Sequence, residues 1–355
     1  MAATEQKHIV VGMSGGVDSS VAAALLVRAG YRVTGAFMKN WSDDGCAWKE
    51  ERRDAMRVAA RLGIPLVTFD FEKEYRQAVV GYLYKEYAAG RTPNPDVMCN
   101  KEVKFELFLR RALELGADAI ATGHYSRVRR GDHGYELLAG VDSNKDQSYF
   151  LHQLTQEQLS RTLFPIGNLE KPEVRRLAAQ FELPTANKKD SQGICFIGKV
   201  DMGDFLATEI PRKEGPIVSV EGRAIGCHRG MTSYTIGQRH GFGVSGDQPY
   251  FVVGKQAETN TMIVAEGENH PALYSSTLVA GDAHWIYRDQ TLPIRCVARI
   301  RYRQELQDCT VESLDNGRIA VKFDRLQRAV SPGQFAVFYN KEVCLGGAVI
   351  ESAAR

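Results

Sequence analysis

Apolar and polar positions over the first 125 residues follow a repeating plan. A β-branched run, HIVV from His8, leads into an alanine-rich helical pattern over 19–29. The runs RVTGAFM, PLVTFD and AIATG then recur between helical stretches at 49–62, 72–89 and 101–115. Short apolar runs bounded by turns suit buried strands, and longer periodic stretches suit covering helices. The alternation predicts an α/β fold with a doubly wound parallel sheet covered on both faces. Helical patterns continue to about residue 206, with Thr155 placed to cap TQEQLSRTL and Pro172 in the first turn of KPEVRRLAAQF. Beyond Phe205 the texture changes to short β-branched runs between glycines and prolines (PRKEGPIVSVEGRAIG, PYFVVGKQ, NTMIVAEG), and from about 278 the runs become regular. These predict a small β-rich middle domain and a C-terminal barrel of six or seven strands. The expected division is 1–207, 208–277 and 278–355.

Composition changes this picture little. With 44% hydrophobic and 25% charged residues in 355, the chain reads as an ordinary globular protein with no apolar run of membrane-span length. The opening MAATEQK has neither an apolar signal core nor an arginine-rich presequence, so the cytoplasm is expected. A net charge of +2 does not by itself announce a nucleic-acid binder. Local groups (Arg127, Arg129 and Arg130; Lys188 and Lys189; Arg299, Arg301 and Arg303) are candidates to neutralise phosphates or plain solvated faces. Seven cysteines with no CxxC pair argue against a disulfide framework, a zinc site of usual spacing and an iron–sulfur cluster.

Chemistry enters at the turn between the first strand and helix, GMSGGVDS, residues 12–19. Gly15 and Gly16 let backbone N–H groups approach an anion, Ser14, Ser19 and Ser20 add hydroxyls, and Asp18 falls in the first helical turn. No GxxxxGK[ST] and no GxGxxG is present. SGGVDS instead matches the signature of the PP-loop ATP pyrophosphatases, which cleave ATP between its α and β phosphates and pass AMP to an oxygen that is to be expelled. In a doubly wound sheet the ligand lies beyond the carboxyl ends of the strands, where this turn, Met38 and Gly123-His124 are expected to converge.

Two thiols stand in unusual company. Cys99 lies in GRTPNPDVMCNKEVKF, which reads as an extended loop entering a helix, with Asp96 close enough to share a pocket. Cys195 lies in KKDSQGICFIG behind two lysines that favour a thiolate. Cys46 is a weaker candidate, and Cys227, Cys296, Cys309 and Cys344 read as buried small hydrophobes.

The runs SGGVDSS, FMKNW, GRTPNPDVMCN, ATGHY, SNKDQSYFL, DSQGICFIG, IGQRHGFG, RYRQ and PGQFAVFYN together resemble the bacterial tRNA-specific 2-thiouridylases along the whole chain. The resemblance implies a PP-loop domain of the adenine nucleotide alpha hydrolase-like kind and formation of 2-thiouridine at wobble position U34 of tRNA. Lysine, glutamate and glutamine isoacceptors would be the substrates, with sulfur arriving as a persulfide from a carrier protein or cysteine desulfurase, and neither DNA nor membrane would be involved. It implies that Gly12, Met13, Ser14, Gly15, Gly16, Val17, Asp18 and Ser19 hold ATP with Met38 and Gly123, and that magnesium bridges the phosphates through ligands not identifiable here. Cys195 would carry the persulfide. Cys99 would release sulfide from it or form a disulfide with Cys195 as sulfur departs, and Asp96 would serve as acid or base. Asn94, Pro95 and Asp96 would meet the extruded uridine, Lys145, Asp146 and Gln147 the anticodon region, and His124, Arg301, Tyr302 and Gln334 further nucleotides. The rival readings are a PP-loop ligase acting on a small molecule and a non-catalytic RNA-binding protein. The first leaves the thiols and the barrel without a task, and the second needs neither thiol.

Overall fold

Strand β1, His8–Gly12, is buried at every position because both sides of it are covered: Ile9 and Val11 join one apolar cluster and Val10 another. A computed structural model describes residues 6–42, 48–190, 197, 201–244, 246–288 and 290–354. β1 pairs in parallel with β2, Arg32–Lys39, which pairs with β3, Leu66–Asp70; on its other side it pairs with β4, Ala119–Ala121. Helix α1, Val17–Arg28, packs the Ile9 and Val11 face with Val21, Ala24 and the helix Lys171–Gln180. The Val10 face meets Val103, Phe105 and Phe108. Helix α2, Trp48–Leu62, covers β2 and β3. The sheet order is β3-β2-β1-β4-β7, with β7 at Thr162–Leu163, so successive crossovers leave β1 in opposite directions and open a crevice beyond β1 and β4.

Between β4 and β7 the chain forms a hairpin that the hydrophobic pattern does not announce: β5, Ser126–Gly131, and β6, Gly134–Ala139. Arg127 and Arg129, for which the sequence leaves both phosphate contact and a solvated face open, pair with Glu342 and Glu136. Thr155 caps the helix Gln156–Ser160 through a complete capping box with Gln158, as its position suggests.

The middle sheet contains β8, Gly215–Ser219, β9, Ala224–His228, β10, Tyr250–Gln256, and β11, Thr261–Glu266, in the order β10-β11-β8-β9. Its small core holds Ile217, Val252, Met262 and Val264. Cys227 lies exposed on edge strand β9, not in a core, whereas Cys296, Cys309 and Cys344 are buried. The edge position is the reason for the difference: β9 has only one neighbour, so its residues are covered on fewer sides.

The last strands are β12, Tyr274–Trp285, β13, Ile294–Arg299, β14, Gln307–Ser313, β15, Ile319–Arg328, β16, Phe335–Asn340, and β17, Val343–Ala354. The order β12-β15-β14-β13-β16-β17 closes through β12–β17 pairing into a six-stranded barrel. The β5–β6 hairpin is added to it, with Leu137 and Leu138 opposite Cys344 and Val343.

Candidate active site

The glycine-rich turn expected to take phosphate, hereafter the phosphate turn, is Met13–Gly16, between the end of β1 and the start of α1. Gly15 has φ 70°, and a Cβ there would run into the Glu51 carbonyl, so the turn requires glycine. Gly16 caps α1 without any side-chain cap, which leaves first-turn N–H groups for an anion. The Ser14 N–H donates to Ser19 Oγ at 3.2 Å, and the Ser20 hydroxyl donates to the Gly16 carbonyl at 2.7 Å. Gly123 closes over the same turn: a Cβ on it would stand 2.6 Å from the Ser19 nitrogen. Gly12 makes room for Met38, whose Cε would lie 3.1 Å from a Cβ at that position. Met13, Val17 and Met38 are buried, so the first two offer a ligand their backbone rather than their side chains.

A charged network that sequence spacing does not reveal surrounds Asp18. Lys171 Nζ donates to both of its carboxylate oxygens at 2.8 and 2.9 Å, and the Tyr125 hydroxyl donates to it at 2.8 Å. Lys171 also reaches Asp190 at 2.8 Å, where Lys145 and Arg175 each arrive at 2.7 Å. Burial works to raise the Asp190 pKa, yet the hydrogen bonds from Lys145 and Lys171 outweigh it and hold the group at about 2. Lys188 donates to the Gly15 carbonyl at 3.0 Å and pairs with Asp54 at 2.7 Å. Tyr125 and Asp190 lie inside quoted motifs, ATGHY and the KKDSQG run. Lys171 is marked only by its place at the N-terminus of a helix, and a long-range pairing of this kind has no local signal.

Asp96 and Cys99 are helical rather than in an extended loop, as Asn94 caps the turn Pro95–Met98 by accepting the Val97 N–H at 3.4 Å and Pro95 takes a first-turn position. The thiol opens a π-helical segment, Cys99–Leu107, and the carboxylate precedes it by three residues, which sets both on one face. Cys99 is fully buried inside a continuous helical run, its backbone N–H donated to the carbonyls of Pro95 and Asp96. Cys195 and Cys46 lie outside the described residues. The helix bearing Cys99 is joined to the phosphate turn through a continuous path. Tyr125, bonded to Asp18, donates its backbone N–H to Gln147 Oε1 at 3.0 Å, and Gln147 precedes the segment Ser148–Leu151 that packs on Pro95–Met98. Asn100 donates to the Phe150 carbonyl at 3.2 Å.

The polar residues expected to touch RNA fall into two groups. Tyr302 is partly exposed with its ring 4.4 Å from that of Phe150, and Lys145 and Gln147 are partly exposed, although each already has a partner. Others face inward. Asp146 is 3% exposed, accepts from the Gly140 and Ser148 N–H groups at 3.0 Å each and pairs with Arg299 at 3.5 Å. Arg301 donates to the carbonyls of Ile236 and Ala329 at 2.9 and 2.7 Å, tying middle domain to barrel. Gln334 donates to the carbonyls of Thr92 and Pro93 at 2.9 and 3.0 Å and so holds the loop leading to Asn94. All three also make hydrogen bonds or ion pairs within the fold.

His124 is likewise buried, its Nδ1 hydrogen-bonded to the Thr122 hydroxyl at 2.8 Å and its ring set between Phe105 and Phe164. Burial, aided by the charge of Lys104, holds its pKa well below the usual histidine value, and burial takes that of His152 to about 3. Both stay neutral in the fold while the unfolded chain takes up protons below about pH 6.5. The unfolded state then binds more protons, so stability falls as pH drops through that value, by about 1.4 kcal/mol per pH unit for each histidine. His124→Gln is expected to remove one such share from the pH dependence of urea midpoints, and an unchanged dependence would show that the ring is protonated in the fold.

Residues 7–199 match the family model described as the tRNA methyl transferase HUP domain, 203–266 the tRNA methyl transferase PRC-barrel domain, and 275–350 the aminomethyltransferase beta-barrel domain. The tRNA-specific 2-thiouridylase of Pseudomonas fluorescens (strain Pf0-1) is 52% identical over 360 residues, covering 99% of this chain and 96% of that protein. That of Yersinia pestis (strain Pestoides F) is 51% identical over 362 residues, covering 99% and 98%. A solved U34-tRNA thiolase from Methanococcus maripaludis aligns remotely, at 18% identity over 58% of this chain and 67% of that chain, with a TM-score of 0.37. No helix among the described residues is long and apolar enough to cross a membrane.

Proposed function

Since the chain belongs to the family of tRNA-specific 2-thiouridylases, matching its relatives from end to end, we propose that it replaces the C2 oxygen of uridine 34 in tRNA with sulfur, using ATP. The full-length relatives take precedence over the methyl-transfer wording of the domain models because they match all three parts of the chain at once. The observation that carries the mechanism is the path from the phosphate turn through Asp18, Tyr125 and Gln147 to the helix of Asp96 and Cys99.

The C2 oxygen is a poor leaving group, so it is activated first. It attacks the α-phosphorus of ATP, the bond to the β-phosphate oxygen breaks, and pyrophosphate leaves. The uncapped N–H groups of α1, the Ser14 and Ser19 hydroxyls and the Lys171 ammonium stand where they would take up the charge that develops on pyrophosphate. Magnesium, if it enters with the nucleotide, would supply positive charge at the phosphates. No trio of metal-ligating side chains converges among the described residues, so no step is assigned to it.

Sulfur then attacks C2 and AMP departs with the original oxygen. In one course the Cys99 thiolate attacks the persulfide at the Sγ of Cys195. This expels hydrosulfide toward C2 and leaves a Cys99–Cys195 disulfide, which a thiol reductant must return to two thiols before the next turnover. In the other the terminal persulfide sulfur attacks C2 directly, and Cys99 forms that disulfide as the sulfur is released. Asp96, one turn from Cys99, is placed to hold or give the proton that moves at the base. A wobble base is unpaired in its loop, which lowers the cost of extruding it. The donor would be a carrier persulfide or a cysteine desulfurase, and lysine, glutamate and glutamine tRNAs the substrates. Nucleoside mass spectrometry of tRNA from a strain lacking this protein tests the reading: 2-thiouridine derivatives should vanish, and their persistence at normal levels would sink it.

A further inference from the structure

A cavity of about 340 Å³ lies where the three parts of the chain meet, within the size range of small-ligand sites. Its walls come from Arg91, just before the loop to Asn94, from Gly254 and Lys255 of β10, from Tyr274 of β12, and from Val330 and Pro332 of the turn between β15 and β16. The wall is mainly aliphatic, includes no carboxylate, and carries two cations. Arg91 is satisfied by Glu86 at 2.7 Å. Lys255 is not: its ammonium is withdrawn from solvent and has no hydrogen-bond partner among the described residues. A register shift in β10 between Val252 and Gly254 falls immediately before it, the kind of irregularity that re-aims a side chain.

We propose that this cavity binds a phosphate group, with Lys255 as its charged anchor. A buried ammonium without a partner is costly, and an anion is the partner that relieves the cost. The flexible four-carbon stem lets the ammonium turn to an incoming anion, and as a compact point charge it suits a phosphate without demanding planar geometry. Burial alone lowers its pKa to about 8, so an arriving anion also restores the full charge. The choice of phosphate over other anions rests on the proposed function, whose substrates both carry phosphates.

The position gives the site a consequence. Pro332, in the cavity wall, accepts the Thr92 N–H at 2.9 Å, and Gln334 two residues later holds the Thr92 and Pro93 carbonyls. A phosphate seated on Lys255 therefore lies behind the two contacts that fix the entry to Asn94–Asp96, and its binding reports to the reacting site.

Lys255→Met keeps the stem and removes the charge, and Lys255→Gln keeps a polar end without charge. Two measurements separate the sources of phosphate. Inorganic phosphate should raise the melting midpoint of the wild type more than that of either variant, the phosphate turn being intact in all three, if a free phosphate occupies the cavity. The log–log salt slope of tRNA binding should shrink in both variants by about 0.7–0.9, one phosphate's share, if the tRNA backbone supplies the group. A difference in either measurement supports the site, and equal midpoint shifts together with equal slopes overturn it. Circular dichroism of the variants without ligand shows that they are folded, and pyrophosphate release by the wild type in the presence of tRNA reports separately on the thiouridylase reading.

Discussion

Asp18→Ala is expected to lower tRNA-dependent pyrophosphate release by about 100-fold or more, the size of effect seen when a preorganised charge-stabilising group is lost. Asp18 fixes two donors at the phosphate turn, the Lys171 ammonium and the Tyr125 hydroxyl. Without it Lys171 keeps Asp190 as a partner 2.8 Å away, so no buried charge is stranded and the melting temperature should change little. The loss then belongs to catalysis and not to folding. Lys171→Met should produce a loss of the same order, because the aspartate and the lysine act as one unit. Pyrophosphate release from Asp18→Ala at the wild-type rate would show that the turn does not handle the nucleotide.

Activation and sulfur transfer use different residues and should fail independently. Cys195→Ser should still release pyrophosphate with tRNA present, yet yield no 2-thiouridine when sulfur comes through a persulfide carrier, since serine cannot hold a sulfane sulfur. Cys99→Ser should accept sulfur on Cys195, visible as a gain of about 32 Da that thiol reductant removes, and then stall. Cys46→Ser should turn over almost as wild type. Thiolation by Cys195→Ser from the carrier, or a folded Cys46→Ser protein without turnover, would mean that the thiol pair is wrongly chosen.

The parts of the fold legible in the sequence are those whose signal is local. The apolar run at His8, the glycines before α1 and the alternating barrel strands each carry their own periodicity, and the structure places elements there. The β5–β6 hairpin escaped because three arginines in Ser126–Gly131 read as a charged surface, while β17, which pairs with the outer edge of β6, lies about two hundred residues on. The helix at Pro95 escaped for a related reason: two prolines nearby suggest a loop, yet only one of them stands inside the first turn, where proline is tolerated. At the candidate site the residue types were legible and the bonds they make within the fold were not. No spacing rule states that Asp146, Arg301, Gln334 and His124 hold the partners they have here. The Lys171–Asp18 pair spans 153 positions and is visible only once the helix Lys171–Gln180 packs beside α1.

The attachment of β6 to β17 bears on how the chain is made. During synthesis the hairpin leaves the ribosome with the outer edge of β6 unpaired, and the strand that pairs with it, Val343–Ala354, follows about two hundred residues later. At roughly 5–20 residues per second that interval lasts on the order of 10 to 40 seconds. For that time the nucleotide-binding half carries an open strand edge able to pair with another nascent chain. A gene shortened before β17 would make that interval permanent, yielding a first domain whose own sheet is complete but whose hairpin invites aggregation.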